Sequence, residues 1–169
     1  RTAKTFSLAV QIAQEMGILK QGDLVVQTAG TLTGISGSTD LIKVGLVRKI
    51  ISRGISIGEK GVTGKARNIK DTQDLSLITP GEILFIPKEM LKQLPLSKNI
   101  AGIVTDENVD EVYKLFNKNK KKISTICNLD SIQELVMNGN LITLQLNEGV
   151  IYMGQIEDDE EALDKYKYV

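Results

Sequence analysis

The chain has 169 residues, 41% hydrophobic and 25% charged, enough for one ordinary domain or two small ones with packed cores. Its 21 basic and 21 acidic side chains cancel, so no global field draws it to nucleic acid or an anionic membrane, and no apolar run approaches the roughly 20 residues that span a bilayer. Histidine is absent and Cys127 is the single cysteine, which excludes Ser-His-Asp and Cys-His triads, His-bearing or Cys-rich metal sites, any phosphohistidine and an internal disulfide.

A lone cysteine fits a reducing cytoplasm. The start at Arg1 rather than Met suggests a piece of a longer protein. In chain order, Phe6, Val10 and Ala13, with Leu8 and Ile12, recur at three- and four-residue spacings and predict a helix capped by Thr5 and stopped by Gly17. Gly22-Asp23 turns into Leu24–Thr28, expected to be a buried strand, and Leu41–Val47 is a second apolar run. Between them lies a loop dense in glycine and hydroxyls: Thr33, Gly34, Ser36, Gly37, Ser38 and Thr39. Its glycines permit close backbone approach and its hydroxyls suit phosphate oxygens, although a solvent-exposed connection explains the same composition. No Walker-type Gly-Lys-Ser is present.

Residues 48–60 mix basic residues, Ser and Gly with isoleucines at 50–51 and 55–57, and read as a connector with some strand character. Beyond it, Pro80-Gly81 and Ala101-Gly102 lead into the short apolar runs 83–86 and 103–104, the second ending in Thr105-Asp106-Glu107. Asn108 or Asp110 can cap a following helix whose apolar face is Val109, Val112, Tyr113 and Phe116. Lys118, Lys120, Lys121 and Lys122 end it as solvated cations that complement the helix dipole. Ile123–Cys127 is expected as a buried strand, with Cys127 packed rather than reactive, and Asn128–Val136 as a short helix closed by Gly139. Leu141–Leu146 and Val150–Met153 form a hairpin through the three residues Asn147-Glu148-Gly149, and an acidic tail fills 156–169.

Two stretches resemble known families. Gly22–Val26, Thr28-Ala29-Gly30 and Gly34-Ile35-Ser36-Gly37-Ser38-Thr39-Asp40 through Val44 resemble the end of the C-terminal domain of pyruvate kinases. The resemblance implies that Thr33, Gly34, Ser36, Gly37, Ser38 and Thr39 lie at an allosteric site for sugar phosphates, with Asp40 in place of the usual Asn. From Gly64-Lys65-Ala66-Arg67, through Pro80–Leu84, Ile103–Glu107 and Gly139–Thr143, to Glu148–Tyr152, the chain is similar to the swivelling domain of phosphoenolpyruvate-utilising enzymes. In an ungapped alignment Glu111, Val112 and Tyr113 stand where that family has Thr, Ser and its phosphoryl-carrying His. A phenol with a pKa near 10 cannot replace an imidazole near 6.5, so a phosphotransfer role for Tyr113 is set aside.

The expected fold class is α/β. It comprises the end of a pyruvate kinase C-terminal unit (1–47), a connector (48–60), a swivelling β/β/α domain without its histidine (61–155) and a tail (156–169). The resemblance implies a non-catalytic regulatory or structural piece of a cytoplasmic glycolytic kinase. Its partners would be the rest of that chain and a homo-oligomer, a tetramer in this family, with a sugar phosphate as effector; nucleic acid and membrane are not expected. This piece would hold no cofactor or metal, while Mg and K are implied for the parent. An alternative reading is an anion or phosphoenolpyruvate sensor using Lys65, Arg67 and Thr105.

Overall fold

The computed structural model describes residues 2–30 and 41–156. They fall into two compact units that divide after Lys49. In the first unit, helix α1 (Thr2–Glu15) is followed by strands β1 (Leu24–Ala29) and β2 (Leu41–Leu46), paired antiparallel from Leu24↔Leu46 to Ala29↔Leu41. Helix α1 begins ahead of Thr5, which therefore lies inside it rather than capping it. Gly17 takes the left-handed conformation (φ 73°) that ends the helix. Phe6 is buried while Leu8 and Ile12 are half exposed, so the two apolar stripes face different surroundings. Strand β1 is not the buried strand expected. Its residues alternate between exposed and half-buried, with Leu24 and Val26 on the open side, because a two-stranded ribbon covered by one helix shields only one face. The Gln27 amide donates to the Phe6 carbonyl (2.7 Å) and fastens ribbon to helix.

The second unit, Ile50–Ile156, carries β3 (Ile50–Arg53), β4 (Ile55–Ile57), β5 (Val62–Asn68), β6 (Ile83–Phe85), α2 (Lys88–Leu91), β7 (Gly102–Val104), α3 (Val109–Asn119), β8 (Thr125–Cys127), β9 (Leu141–Gln145) and β10 (Val150–Met153). The strand order is β3-β10-β9-β5-β6-β7-β8-β4, with β5 through β8 parallel to one another and the remaining pairings antiparallel. Strands β3 and β4 occupy opposite ends of this order yet are separated by Gly54 alone. One residue spans under 4 Å, so the sheet must curl until its ends meet in the bent segment 50–57. That stretch is therefore not a connector: it closes the second unit.

Strand β5 changes partners midway, pairing with β9 over Val62–Lys65 and with β6 over Ala66–Asn68. The alternation of side chains on β6 to β8 then fills two cores. Ile83, Phe85, Val104 and Ile126 point between the two halves of the sheet, where they meet Ile142, Leu144 and Ile151. Leu84, Ile103 and Cys127 point the other way, under Met90 and Leu91 of α2 and Val112 and Phe116 of α3. Burial on both faces is why these strands read as continuous apolar runs, and a fully buried side chain such as Phe85 stabilises the unit by roughly 2–3 kcal/mol. The architecture is mixed α/β, in layers of sheet, sheet and helix.

Two local expectations fail for tertiary reasons. Residues 128–136 are not a helix: Asn128 (φ 63°) and Ser131 (φ 48°) are left-handed, leaving a single 3-10 turn at Ile132–Glu134. The Val136 carbonyl accepts from the Asn68 amide (2.8 Å), the Gln133 amide donates to the Ile69 carbonyl (3.0 Å), and Leu129, Ile132 and Val136 drop into the inner core. The final hairpin pairs Gln145 with Val150, so its loop has four residues, Leu146–Gly149, rather than three.

Candidate functional site

Helices α2 and α3 follow the adjacent parallel strands β6 and β7, and between them lies a groove of about 380 Å³. The loops entering the two helices are tied together where the Lys88 N–H donates to the Asp106 carboxylate (2.7 Å). The mouth of the groove thus sits at the carboxyl ends of parallel strands, where open α/β sheets place ligands. Helix α3 starts cleanly: the Asn108 side chain accepts from the Glu111 N–H (3.0 Å), as the sequence suggests.

The groove's walls are charged. Lys88 at the start of α2 and Lys92 at its C-cap line it on one side, and Glu107, Glu111, Lys114 and Lys118 from α3 and its entry on the other. Each lysine pair is four residues apart, which sets its two members one helical turn apart. Leu91, buried, and Leu115, half-buried, form the floor. Lys114 donates to the Glu111 carboxylate (2.5 Å), which holds that carboxyl below the usual range, with a smaller contribution from Lys92. The same contact raises the Lys114 ammonium. Among the described residues Lys88, Lys92 and Lys118 have no ion-pair partner. Three of these six residues, Lys88, Lys92 and Lys114, drew no attention in the sequence. Only the spacing of 88 with 92 and of 114 with 118 could have signalled them, and nothing local indicates that the two pairs face one groove.

Several sequence candidates are placed differently. Thr33, Gly34, Ser36, Gly37, Ser38 and Thr39 lie outside the described residues, as does Asp40. Tyr113 sits on α3 but is 41% exposed, so it does not belong to the buried face formed by Val112 and Phe116. It lines a shallow depression with Lys120, Lys121 and Lys122. The proposed sensor donors do not converge. Arg67 is occupied: its Nε and Nη2 donate to the two Glu82 carboxylate oxygens at 2.7 and 2.8 Å. Lys65 is exposed near the amino ends of the parallel strands. Thr105, fully buried past their carboxyl ends, is about four residues or roughly 13 Å further along the sheet. The hydroxyl of Thr105 already accepts from the Glu107 N–H (3.2 Å).

Burial opposes ionisation of Glu82, but the Arg67 guanidinium and the Thr79 N–H together outweigh it and hold the carboxyl below its ordinary value. At Cys127 burial wins and pushes the thiol up to about 11. Its Sγ donates to the Ile55 carbonyl (3.3 Å) across the β4–β8 pairing. At pH 8 only roughly a thousandth of the thiol is then ionised. A disulfide reagent such as Ellman's should modify native Cys127 only at the rate the unit opens, and immediately once urea unfolds it; burst labelling of the native chain would contradict this.

Among the described residues no group of three or more acidic, histidine or cysteine side chains could hold a metal ion, and no helix is long and apolar enough to cross a membrane. Residues 1–45 match the family described as pyruvate kinase, alpha/beta domain. The chain is 36% identical over 155 residues to pyruvate kinase 2 of Synechocystis sp., covering 92% of this chain and 26% of that protein. It is 30% identical over 154 residues to the pyruvate kinase of Geobacillus stearothermophilus, covering 90% and 26%. The chain thus spans about a quarter of the length of the curated relatives it matches. Among solved structures, the microcin C7 self-immunity protein MccF aligns at 13% identity and a TM-score of 0.46, over 86% of this chain and 56% of that one, a likeness too distant to bear on this chain. Through both of its units, then, this chain is similar to the pyruvate kinases, and its first 45 residues match their alpha/beta domain.

Proposed function

We propose that this chain is the non-catalytic C-terminal part of a cytoplasmic pyruvate kinase, whose parent enzyme transfers phosphate from phosphoenolpyruvate to ADP in glycolysis. The observation that carries the reading is similarity to pyruvate kinases over nine-tenths of the chain, running through both units rather than stopping at the first. The second unit would be a swivelling β/β/α domain in which Tyr113, exposed and on the helix face, replaces the phosphoryl-carrying histidine. Its layers of sheet, sheet and helix support this. Mg and K are proposed for the parent reaction and not for this piece. The loop bearing Thr33, Gly34, Ser36, Gly37, Ser38 and Thr39 is proposed to hold the phosphate of a sugar-phosphate effector. The open face of β1, with Leu24 and Val26, suits coverage by the rest of the parent chain in its tetramer.

The test is to assay the full-length parent with and without everything after Lys49. Turnover of phosphoenolpyruvate and ADP should persist in the truncated enzyme, while its response to sugar phosphates, its tetramer mass, or both should change. Absence of pyruvate kinase activity in the intact parent would overturn the reading.

A further inference from the structure

The groove between α2 and α3 goes beyond this assignment. Its two lysine pairs, Lys88 with Lys92 and Lys114 with Lys118, each set like charges one helical turn apart, an arrangement that is destabilising in an isolated helix. Glu111 is ion-paired with Lys114 and acts at longer range on Lys92, while Lys88, Lys92 and Lys118 make no ion pair among the described residues, so the groove lining carries four lysines against two carboxylates. Those three lysines come from both walls, Lys88 and Lys92 from one and Lys118 from the other, so an anion between them would meet donors on two sides. The groove's volume, about 380 Å³, lies within the range of small-molecule sites and is floored by Leu91 and Leu115. Glu107 and Glu111 on the α3 wall weaken the positive field at the amino end of that helix without cancelling the lysines that line the groove.

We propose that this groove binds a small multivalent anion, carrying two or more phosphate or carboxylate groups, through Lys88, Lys92 and Lys118. The volume and the two-sided placement favour a small molecule over an acidic protein segment, which would need a longer basic track. The binding is separate from any effector loop in the first unit and from catalysis. It can therefore be measured without an enzyme assay, and its failure leaves the pyruvate kinase reading standing.

The experiment is titration of the isotope-labelled 169-residue chain with inorganic pyrophosphate, and separately with citrate, at about 20 mM ionic strength, reading backbone amides by NMR. Saturable shifts confined to residues 88–92 and 107–119, with a Kd of about 1 mM or tighter for either probe, are expected. The triple substitution Lys88→Gln, Lys92→Gln, Lys118→Gln should weaken binding by about tenfold or more, and Lys65→Gln should leave it unchanged. The single variant Lys118→Gln, expected to weaken binding about twofold, gives the same reading if the triple variant misfolds. The proposal is overturned if neither probe saturates by about 10 mM, or if Lys65→Gln weakens binding as much as the groove substitutions do. It is equally overturned if a glutamate-rich decapeptide binds where both small anions fail, which would make this an acidic-protein surface.

Discussion

Gly54→Ala should destabilise the second unit by about 3 kcal/mol or more, although it adds a single methyl group. A Cβ at this position would stand 2.6 Å from the Cys127 carbonyl oxygen, 2.7 Å from Ile126 Cγ2 and 2.9 Å from Leu129 Cδ1. Backbone lies on one side of the corner, and on the other the Gly54 N–H donates to the Gly149 carbonyl (3.0 Å), so the segment cannot shift without breaking a pairing. Gly54 is the residue at which the curled sheet closes, and displacing it opens β3 from β10 or β4 from β8. Gly81→Ala provides the comparison. Gly81 has a positive φ of 83° but open space around it, so alanine there should cost only about 1 kcal/mol of backbone strain. Urea unfolding followed through the amide signals of Ile103 and Leu144 measures both. Equal shifts in midpoint for the two variants would refute the closure argument.

Glu82→Gln should cost roughly 3 kcal/mol at pH 7, because it leaves the Arg67 guanidinium without its carboxylate in a largely shielded site. Glu82 accepts from Arg67 Nε and Nη2 and from the Thr79 N–H (2.9 Å), a donor set that favours the ionised form. Its folded pKa lies below the unfolded value of about 4.3. The stabilisation is therefore fully present above that unfolded value and is lost as pH falls through the folded one. The variant lacks a titrating group here. The gap between wild type and variant should be wide at pH 7 and shrink progressively below about pH 4. A gap of the same size at pH 3 would show that the pair does not act through its charge.

Much of the second unit is legible in its sequence because local and tertiary requirements agree there. The turn pairs before Ile83 and Ile103, the apolar runs they introduce, and the Asn108 cap ahead of Val112 and Phe116 all state their structure within a few residues. Segment 50–57 does not, because isoleucines broken by Ser, Arg and Gly look like a linker until partners near 126 and 151 are known. Residues 128–136 mislead in the opposite sense. Their composition suits a capped helix, but burying Leu129, Ile132 and Val136 in one core imposes another path. Arg67 looks free in sequence, whereas parallel pairing of Arg67 with Leu84 brings the distant Glu82 alongside. The lysine groove is half legible. Lys118 stands in an evident cationic run, but its opposing wall comes from a four-residue helix with no sequence signal of what it faces.

The pairing of β3 with β10 has a mechanical consequence. Ile50 lies opposite Tyr152, so the two ends of the second unit's chain leave from neighbouring positions on antiparallel strands. Tension applied through those ends pulls across the ladder, parting its hydrogen bonds one after another rather than loading them together in shear. The unit should yield at low force, starting from the Ile50–Tyr152 end. The same proximity means that a short linker could join residues 50 and 153 and new termini could be cut at Asn138-Gly139, an exposed turn, giving a circularly permuted unit that keeps every strand pairing.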